Sequence, residues 1–182
     1  SDDALRHLFC VSRELAAAGI DAHVFGGWAE ELLGLVPPRA HGDIDLIHIG
    51  PSFERVDGLL RAGRLPEVTL KRSVHKRAFV HDAVLVEVML VRPTARGPVT
   101  RLWNDHELRW PELAPRPVTL EGLGTISVVS AAALAFYREH HAAARGDNEM
   151  ILYLVSKGAD VTRVNREGQT VADMANGPVQ RV

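Results

Sequence analysis

The chain has 182 residues, enough for one domain with a hydrophobic core, or for one domain with a small helical appendage. Apolar residues make up 46% of the sequence, which excludes a disordered chain. The net charge of −2 argues against a nucleic-acid-binding protein, because such proteins usually present a basic surface. The single cysteine, Cys10, excludes a disulfide framework and fits a reducing, cytoplasmic compartment; we expect it to be a small core residue. We find neither a signal peptide nor an apolar run long enough to span a membrane.

Hydrophobic periodicity and the positions of glycine and proline predict an α/β domain with a mixed sheet, followed by a helical section. The predicted helices are 2–18, 28–35, 51–63, 131–141, 148–157 and 170–175. The predicted strands are 21–26, 41–49, 76–81, 84–91 and a short one around 99–103, with a strand or hairpin over 116–129. Pro37-Pro38 is predicted to end the second helix, and Ser130 to cap helix 131–141. We divide the chain into a domain of residues 1–129 and a C-terminal helical section, 130–182, packed on it.

Acidic residues interrupt two of the apolar strands. Asp43 and Asp45 stand at i and i+2 in strand 41–49, so their carboxylates point to the same face. Neighbouring carboxylates repel each other unless a cation lies between them, and Mg²⁺ binds carboxylate oxygens together with nucleotide phosphates. Glu87 lies in the middle of strand 84–91, where a buried acid needs a partner. We therefore predict a metal–nucleotide site at these three acids, in preference to three ordinary surface residues.

A glycine pair, Gly26-Gly27, forms a predicted tight turn before the second helix. Glycine lets backbone N–H groups approach phosphates closely, and the N-terminus of a helix favours anions. A glycine pair alone is a weak signal, but this one is followed 16 residues later by the Asp-x-Asp strand and then by a third acid. In such a site Glu87 either completes a second metal site or takes the proton from an attacking hydroxyl as general base.

These residues resemble the polymerase-β-like nucleotidyltransferase superfamily, which is marked by a Gly-Gly or Gly-Ser turn and helix, an Asp-x-Asp strand and a third acid on a neighbouring strand. More narrowly, the segments GGWAEELLG and RAHGDIDL are similar to the small aminoglycoside and lincosamide nucleotidyltransferases, in which a Gly-Gly-Trp opening precedes an Arg-x-His and the acidic strand. The positions that match this pattern in order are Arg39, His41, Asp43 and Asp45. The third acid of these relatives is most often aspartate, whereas here it is glutamate.

The resemblance implies transfer of a nucleoside monophosphate, usually AMP from ATP, onto a hydroxyl of a small antibiotic, with release of pyrophosphate. It implies Mg²⁺ as the metal and ATP as the co-substrate. The catalytic, metal-binding acids would be Asp43, Asp45 and Glu87, and the residues near the triphosphate would be Gly26, Gly27 and Arg39. The implied partner is a small hydroxylated acceptor, with neither nucleic acid nor membrane involved; a homodimer stays open.

Three features keep two interpretations each. Lys76 and Arg77 either reach the phosphates from the strand before Glu87 or are solvated basic residues. His41 is either structural or flanks the nucleotide. Residues 103–112, WNDHELRWPE, either bind a cationic sugar through their acids and tryptophans or form a surface loop with a buried tryptophan.

Residues 148–175 look like part of an ankyrin repeat. A solenoid needs about three stacked repeats, and a second copy is not visible, so we favour an ordinary helix and turn. Two other functions stay open beside the antibiotic-modifying enzyme. One is the same chemistry on a protein or RNA acceptor, as in nucleotidyltransferase toxins. The other is a non-catalytic binding or interaction protein on a decayed fold, against which the full set of acids argues.

Overall fold

The computed structural model describes residues 2–102 and 107–145 of the chain. The helices are α1 (Asp2–Ala17), α2 (Gly26–Leu32), α3 (Glu54–Arg61) and α4 (Ala131–Arg145). The strands are β1 (Ala22–Val24), β2 (Asp43–Ile49), β3 (Lys76–His81), β4 (Val84–Val91), β5 (Val99–Arg101), β6 (Glu107–Arg109), β7 (Arg116–Leu120) and β8 (Gly124–Val128). The predicted helices 148–157 and 170–175 lie outside the described residues. None of the helices in the described part of the chain combines the length and the apolar character needed to cross a membrane.

Six of these strands form one mixed sheet in the order β3-β4-β2-β1-β8-β7. The pairs β2–β4 and β1–β8 are parallel, and the other neighbouring pairs are antiparallel. Strands β5 and β6 pair separately as a two-stranded ribbon. The sheet with its flanking helices confirms the predicted α/β class. The two acid-bearing strands, β2 and β4, are neighbours in the interior of this sheet.

The core forms between α1 and the face of the sheet that the acids do not occupy. Ile44 and Leu46 of β2 are almost fully buried, and they alternate along the strand with the two aspartates. Leu8 and Phe9 of α1 are buried as well. Cys10, the next residue of the helix, is exposed, so the expectation that it is a core residue is wrong. Each helical residue is turned by about 100° from the one before, and this step carries Cys10 out of the buried stripe.

The hairpin of β3 and β4 has the predicted boundaries, 76–81 and 84–91. Its two-residue turn has positive φ at both positions, 45° at Asp82 and 66° at Ala83. Such a turn matches the right-handed twist of the flanking strands and fixes their register. The register then places Ala78 of β3 opposite Glu87 of β4.

Helix α2 ends earlier than predicted, at Leu32 instead of at Pro37-Pro38. Gly34 adopts a left-handed conformation, with φ of 69°. The N–H of Gly34 donates to the carbonyl of Glu31, and the N–H of Leu35 donates to the carbonyl of Glu30. These two bonds form a glycine C-cap of the Schellman type, which ends the helix before the prolines are reached.

The C-terminal part of the described chain begins as predicted, with Ser130 accepting a hydrogen bond from the N–H of Ala133 at the start of α4. The helix continues to Arg145 instead of ending at residue 141. The chain divides into two compact units, Ser1–Ala133 and Leu134–Val182. The packing of section 130–182 on the domain stays a prediction.

Candidate active site

The parallel register of β2 and β4 places the three predicted acids on one face of the sheet. Asp45 pairs with Glu87, and Asp43 pairs with Leu85 two residues away. Residues opposite each other in a ladder point to the same face, so the side chains of all three acids share it. Glu87 is 7% exposed and Asp45 is half-buried, as expected for acids in apolar strands. Asp43 is exposed, contrary to that expectation, because it is the first residue of its strand.

The surroundings of Asp45 favour its protonated form. Burial, together with the negative charges of Asp43 and Glu87, raises the pKa of Asp45 to about 6 against the opposing charges of Lys76 and Lys71. A carboxyl group in this condition gains from a nearby cation, because the cation removes both the repulsion and part of the desolvation cost. The site therefore has the electrostatic character of a cation-binding site.

Glu87 is already neutralised by two lysines. Its Oε1 accepts a hydrogen bond from Nζ of Lys71 and its Oε2 accepts one from Nζ of Lys76. Burial disfavours the ionised carboxylate, but these two hydrogen bonds and the lysine charges outweigh burial and lower the pKa of Glu87. The hydrogen bond between Lys71 and Glu87 in turn raises the pKa of Lys71.

Lys71 was not predicted as a site residue. It lies in a short 3-10 turn, Thr69–Lys71, between α3 and β3, where the sequence shows neither strand nor helix periodicity. Its side chain reaches the acid face from outside the sheet, and only the folded chain reveals this. A cluster of basic residues, Lys71, Arg72 and Lys76, shortly before an acid-bearing strand was the available sequence signal.

The three acids do not form one compact cluster of ligand atoms. Among the described residues, the ligand atoms of Asp43, Asp45 and Glu87 do not all lie within 4.8 Å of one another. The structure thus places a carboxylate pair, Asp43 and Asp45, next to a separate Glu87–lysine group.

The two glycines begin α2, where the sequence predicted a separate turn. Gly26 has a left-handed φ of 62°, and a Cβ atom there would lie 2.5 Å from Oδ2 of Asp45. A Cβ atom on Gly27 would lie 2.9 Å from Nδ1 of His41 and 3.0 Å from a guanidinium nitrogen of Arg39. Because α2 has only seven residues, its dipole would attract an anion only weakly. The main contribution of the two glycines is the space that their missing side chains leave.

The loop that carries Arg39 and His41 is fastened to α2 by two acids. His41 Nε2 lies 2.8 Å from Oε2 of Glu31, and the N–H of Arg39 donates to the same oxygen. The Arg39 guanidinium, half-exposed, donates to Glu30 at 3.3 Å. The His41 ring lies against Trp28, with the ring centroids 4.1 Å apart. These contacts support the structural interpretation of His41. The two acids look like an ordinary helix face in the sequence and were not predicted.

Lys76 and Arg77 point to opposite faces of the sheet, as adjacent strand residues must. Lys76 lies with the acids, whereas the Arg77 guanidinium binds the Asp57 carboxylate at 2.6 Å and lies 4.2 Å from the ring of Phe53. Of the two residues, Lys76 shares the face of the acids, whereas the contacts of Arg77 on the other face are structural.

The stretch proposed for the acceptor is partly described. Trp103 and Asp105 lie outside the described residues. Trp110 is buried, donates from Nε1 to Oγ1 of Thr100 at 2.8 Å and lies edge-on to Phe25. Trp110 is therefore a core residue, as the loop interpretation predicted, while Glu107 and Glu112 are exposed.

Solved structures that are similar to this fold include nucleotidyltransferases. A lincosamide antibiotic adenylyltransferase, LnuA, bound to lincomycin, has a TM-score of 0.61 and 14% identity over 82% of this chain and 95% of its own. The protein ANT(2")-Ia, in complex with adenylyl-2"-tobramycin, has a TM-score of 0.56 and 14% identity over 86% and 88% of the two chains. An antigenic nucleotidyltransferase-like protein from Paracoccidioides brasiliensis has a TM-score of 0.52 and 15% identity over 86% and 78%. The sequence has no match among curated proteins.

A second likeness concerns the C-terminal part of the sequence. The family described as "Ankyrin repeats (many copies)" matches residues 139–182. The match favours the ankyrin interpretation of segment 148–175 over the ordinary helix and turn that we preferred; this segment lies outside the described residues. The likeness to solved structures and the register of the acids lead to one conclusion, which agrees with the resemblance of the segments GGWAEELLG and RAHGDIDL: the chain has the fold of these nucleotidyltransferases.

Proposed function

We propose that the chain is a Mg²⁺-dependent nucleotidyltransferase that moves a nucleoside monophosphate, AMP from ATP, onto a hydroxyl group of a small antibiotic. The observation that carries the proposal is the register of β2 and β4, which sets Asp45 opposite Glu87 with Asp43 on the same face. The fold supports it, because the sheet that carries these three acids is similar to that of known nucleotidyltransferases.

The donor set suits Mg²⁺, which prefers carboxylate oxygens. Asp43 and Asp45 would hold the ion, since they repel each other and the pKa of Asp45 is raised to about 6. When bound, Mg²⁺ would supply positive charge for the phosphate oxygens and the leaving group. Glu87 would join the ion only after its lysine partners leave it.

The chain's own cations would bind the triphosphate. Lys71 and Lys76 meet at Glu87 on the acid face, and the half-exposed Arg39 lies over Gly27. Triphosphate oxygens compete with the Glu87 carboxylate for the same ammonium groups. We infer that nucleotide binding draws the lysines toward the phosphates and releases Glu87 for its catalytic role, as metal ligand or as base.

The reaction is an in-line displacement. The acceptor hydroxyl oxygen bonds to the α-phosphorus of ATP, the bond from that phosphorus to the bridging oxygen breaks, and pyrophosphate leaves with the bonding electrons. The hydroxyl proton passes to a carboxylate of the site. Glu87 with both lysines attached is a weak base because its pKa is lowered, so its release is a condition for that role.

Small antibiotics are the first acceptor class to test. The neighbouring structures hold lincomycin in one case and adenylyl-2"-tobramycin in the other. A protein acceptor is the second candidate. The ankyrin-repeat match over residues 139–182 favours it, because stacked helical repeats present extended surfaces that bind other proteins.

Incubation with ATP, Mg²⁺ and a panel of lincosamides and aminoglycosides tests the proposal, with products read by mass spectrometry. We expect one compound of the panel to gain the mass of one AMP residue. Asp45→Asn should abolish the product, whereas Asp3→Asn, which changes an exposed acid of α1, should not. If the antibiotics stay unmodified and a protein gains AMP instead, the acceptor is a protein. Product formation by Asp45→Asn would refute the assigned site.

A further inference from the structure

A second group of potential metal ligands lies away from the proposed active site. His7 of α1, His81 at the end of β3 and Asp82 in the hairpin turn each offer one ligand atom, and these atoms lie within 4.8 Å of one another. Among the described residues this is the group of three His, Cys, Asp or Glu side chains that meets that spacing. His81 and Lys76 are an odd number of residues apart on β3, so their side chains point to opposite faces. Lys76 shares the face of the three acids, and His81 therefore lies on the other face.

The spacing of these atoms suits one tetrahedral ion. His7 Nε2 lies 3.1 Å from His81 Nδ1, and His81 Nδ1 lies 3.7 Å from Oδ2 of Asp82. Zinc–nitrogen and zinc–oxygen bonds of about 2.0–2.2 Å in a tetrahedron place neighbouring ligand atoms roughly 3.3–3.6 Å apart. The two measured distances bracket this range, and the exposed Asp82 carboxylate is able to adjust.

A carboxylate behind His81 fixes which ring nitrogen is available. Oε2 of Glu14 lies 3.0 Å from Nε2 of His81, and its other oxygen lies 3.5 Å from the Arg64 guanidinium. An ionised carboxylate only accepts hydrogen bonds, so Nε2 of His81 carries the proton and Nδ1 keeps a lone pair. That lone pair points toward His7 Nε2. Carboxylate–histidine pairs of this kind orient the ligands of zinc sites.

One proton occupies the position that the ion would take. His7 Nε2 lies 3.1 Å from Nδ1 of His81 and 2.9 Å from the carbonyl oxygen of His81, so its N–H donates toward both acceptors. Moving that proton to Nδ1 of His7 leaves two imidazole lone pairs and the Asp82 carboxylate close enough to share one ion, with the His81 carbonyl oxygen 2.9 Å from His7 Nε2. This donor set suits a borderline divalent transition-metal ion far better than Mg²⁺.

We propose that His7, His81 and Asp82 bind one Zn²⁺ ion, which links α1 to the β3–β4 hairpin. The link would tie an edge strand of the sheet to the N-terminal helix. The site shares no residue with the acids of β2 and β4, so it does not rest on the proposed function. Its expected effect is on the stability of the chain.

The full chain, stripped with a chelator, is the protein to test. Zn²⁺ affinity is measured by competition with a chromophoric chelator, and geometry by the absorption of Co²⁺ in the same site. We expect one ion bound at this site and a higher thermal midpoint with Zn²⁺. The variants His7→Gln, His81→Gln and Asp82→Asn should each bind the ion at least about tenfold more weakly and lose the Zn²⁺-dependent rise in midpoint. Asparagine tolerates the positive φ of position 82, so that variant should keep its fold even where a histidine variant does not.

The control is the double variant Asp43→Asn with Asp45→Asn, compared in excess Mg²⁺, which should keep the Zn²⁺ affinity of the His7, His81 and Asp82 site. Excess Mg²⁺ should not displace the ion. Unchanged affinity in any of the three ligand variants would overturn the three-ligand site. Loss of the ion in the double variant, with binding kept in Asp82→Asn, would place it at the acids and overturn the proposal equally.

Discussion

The position of three acids on one face of the sheet disfavours the ionised form of Asp45. Burial, with the charges of Asp43 and Glu87, raises its pKa from 3.8 to about 6. The folded chain therefore binds this proton more tightly than the unfolded chain does. The resulting contribution to stability is present below about pH 4 and is lost as the pH rises through 6.

Asp45→Asn should remove this pH dependence. The free energy of unfolding of the variant should exceed that of the unaltered chain by an amount that grows between pH 4 and 7. The full pKa rise, 6 − 3.8, sets an upper limit of about 3 kcal/mol. Urea denaturation at pH 4.5 and 7.5 without divalent ions measures the difference. A difference independent of pH would show that Asp45 has an ordinary pKa.

Alanine variants of Gly26 and Gly34 distinguish the effect of backbone strain from the effect of crowding by an added Cβ atom. Both have positive φ, but a Cβ atom meets Asp45 Oδ2 at 2.5 Å in the first case and nothing within 4 Å in the second. Both alanine variants should lose about 1 kcal/mol of unfolding free energy from the backbone. Only Gly26→Ala should also lose nucleotide binding, because it displaces Asp45. Equal nucleotide affinity in the two variants would contradict the role of Gly26.

Sequence reasoning found the charged residues that alternate on strands and missed those that do not. Asp43, Asp45, Glu87 and Lys76 were predicted, because strand periodicity fixes which side chains share a face. Lys71 was missed, because a 3-10 turn between elements has no periodicity that reports its direction. The exposure of Asp43 was also missed, since it depends on where the strand begins.

At the level of the elements, the 3-10 turn and β3 act together on β4. Lys71 and Lys76 reach Glu87 from either side, so that its carboxylate is neutralised before any ligand arrives. We expect Lys71→Ala to weaken Mg²⁺–ATP binding by about 3- to 10-fold. The upper end corresponds to one charge-assisted hydrogen bond of roughly 1.5 kcal/mol, and release from Glu87 offsets part of it.

Arg61→Ala is the matched control for that measurement, since it removes one positive charge from an exposed position on α3. Its Mg²⁺–ATP affinity should equal that of the unaltered chain at moderate salt. If both variants weaken binding alike, the effect is one of overall charge and the lysine pair has no specific role.

Element boundaries were predictable where a single local rule decides them. The β3–β4 hairpin matched its predicted bounds because two apolar runs flank a two-residue turn. Helix α2 ended early because the left-handed Gly34 intervened before Pro37-Pro38, and the sequence offered both stops. Strand β6 was missed, because three residues are too few for a period to show.

For the whole molecule, this chain shares its fold with the solved neighbours far more than its sequence. The solved neighbours share 12–19% identity with this chain, yet TM-scores of 0.52–0.61 over most of its length. The short motif from Gly26 to Asp45 was enough to predict the fold, because it encodes a turn, a helix and an acidic strand in fixed order. The acceptor was not predictable, because its pocket depends on segments without a comparable motif.

The C-terminal sequence offers a test between acceptor classes. A chain ending at Arg145, which lacks most of the ankyrin-matched residues 139–182, should bind Mg²⁺–ATP as the full chain does. If the acceptor is a small molecule, the shortened chain should still modify it; if it is a protein, modification should be lost while nucleotide binding stays. Circular dichroism checks that the shortened chain is folded. Loss of nucleotide binding in a folded shortened chain would show that the tail contributes to the nucleotide site itself.

The central claim is that the acids of β2 and β4 bind a nucleotide through a metal ion. Isothermal titration calorimetry with a non-hydrolysable ATP analogue tests it without knowledge of the acceptor. The account predicts one bound nucleotide that requires Mg²⁺, with binding lost in Asp45→Asn and kept in Asp3→Asn. Nucleotide binding that persists without a divalent ion, or that survives Asp45→Asn unchanged, would contradict it.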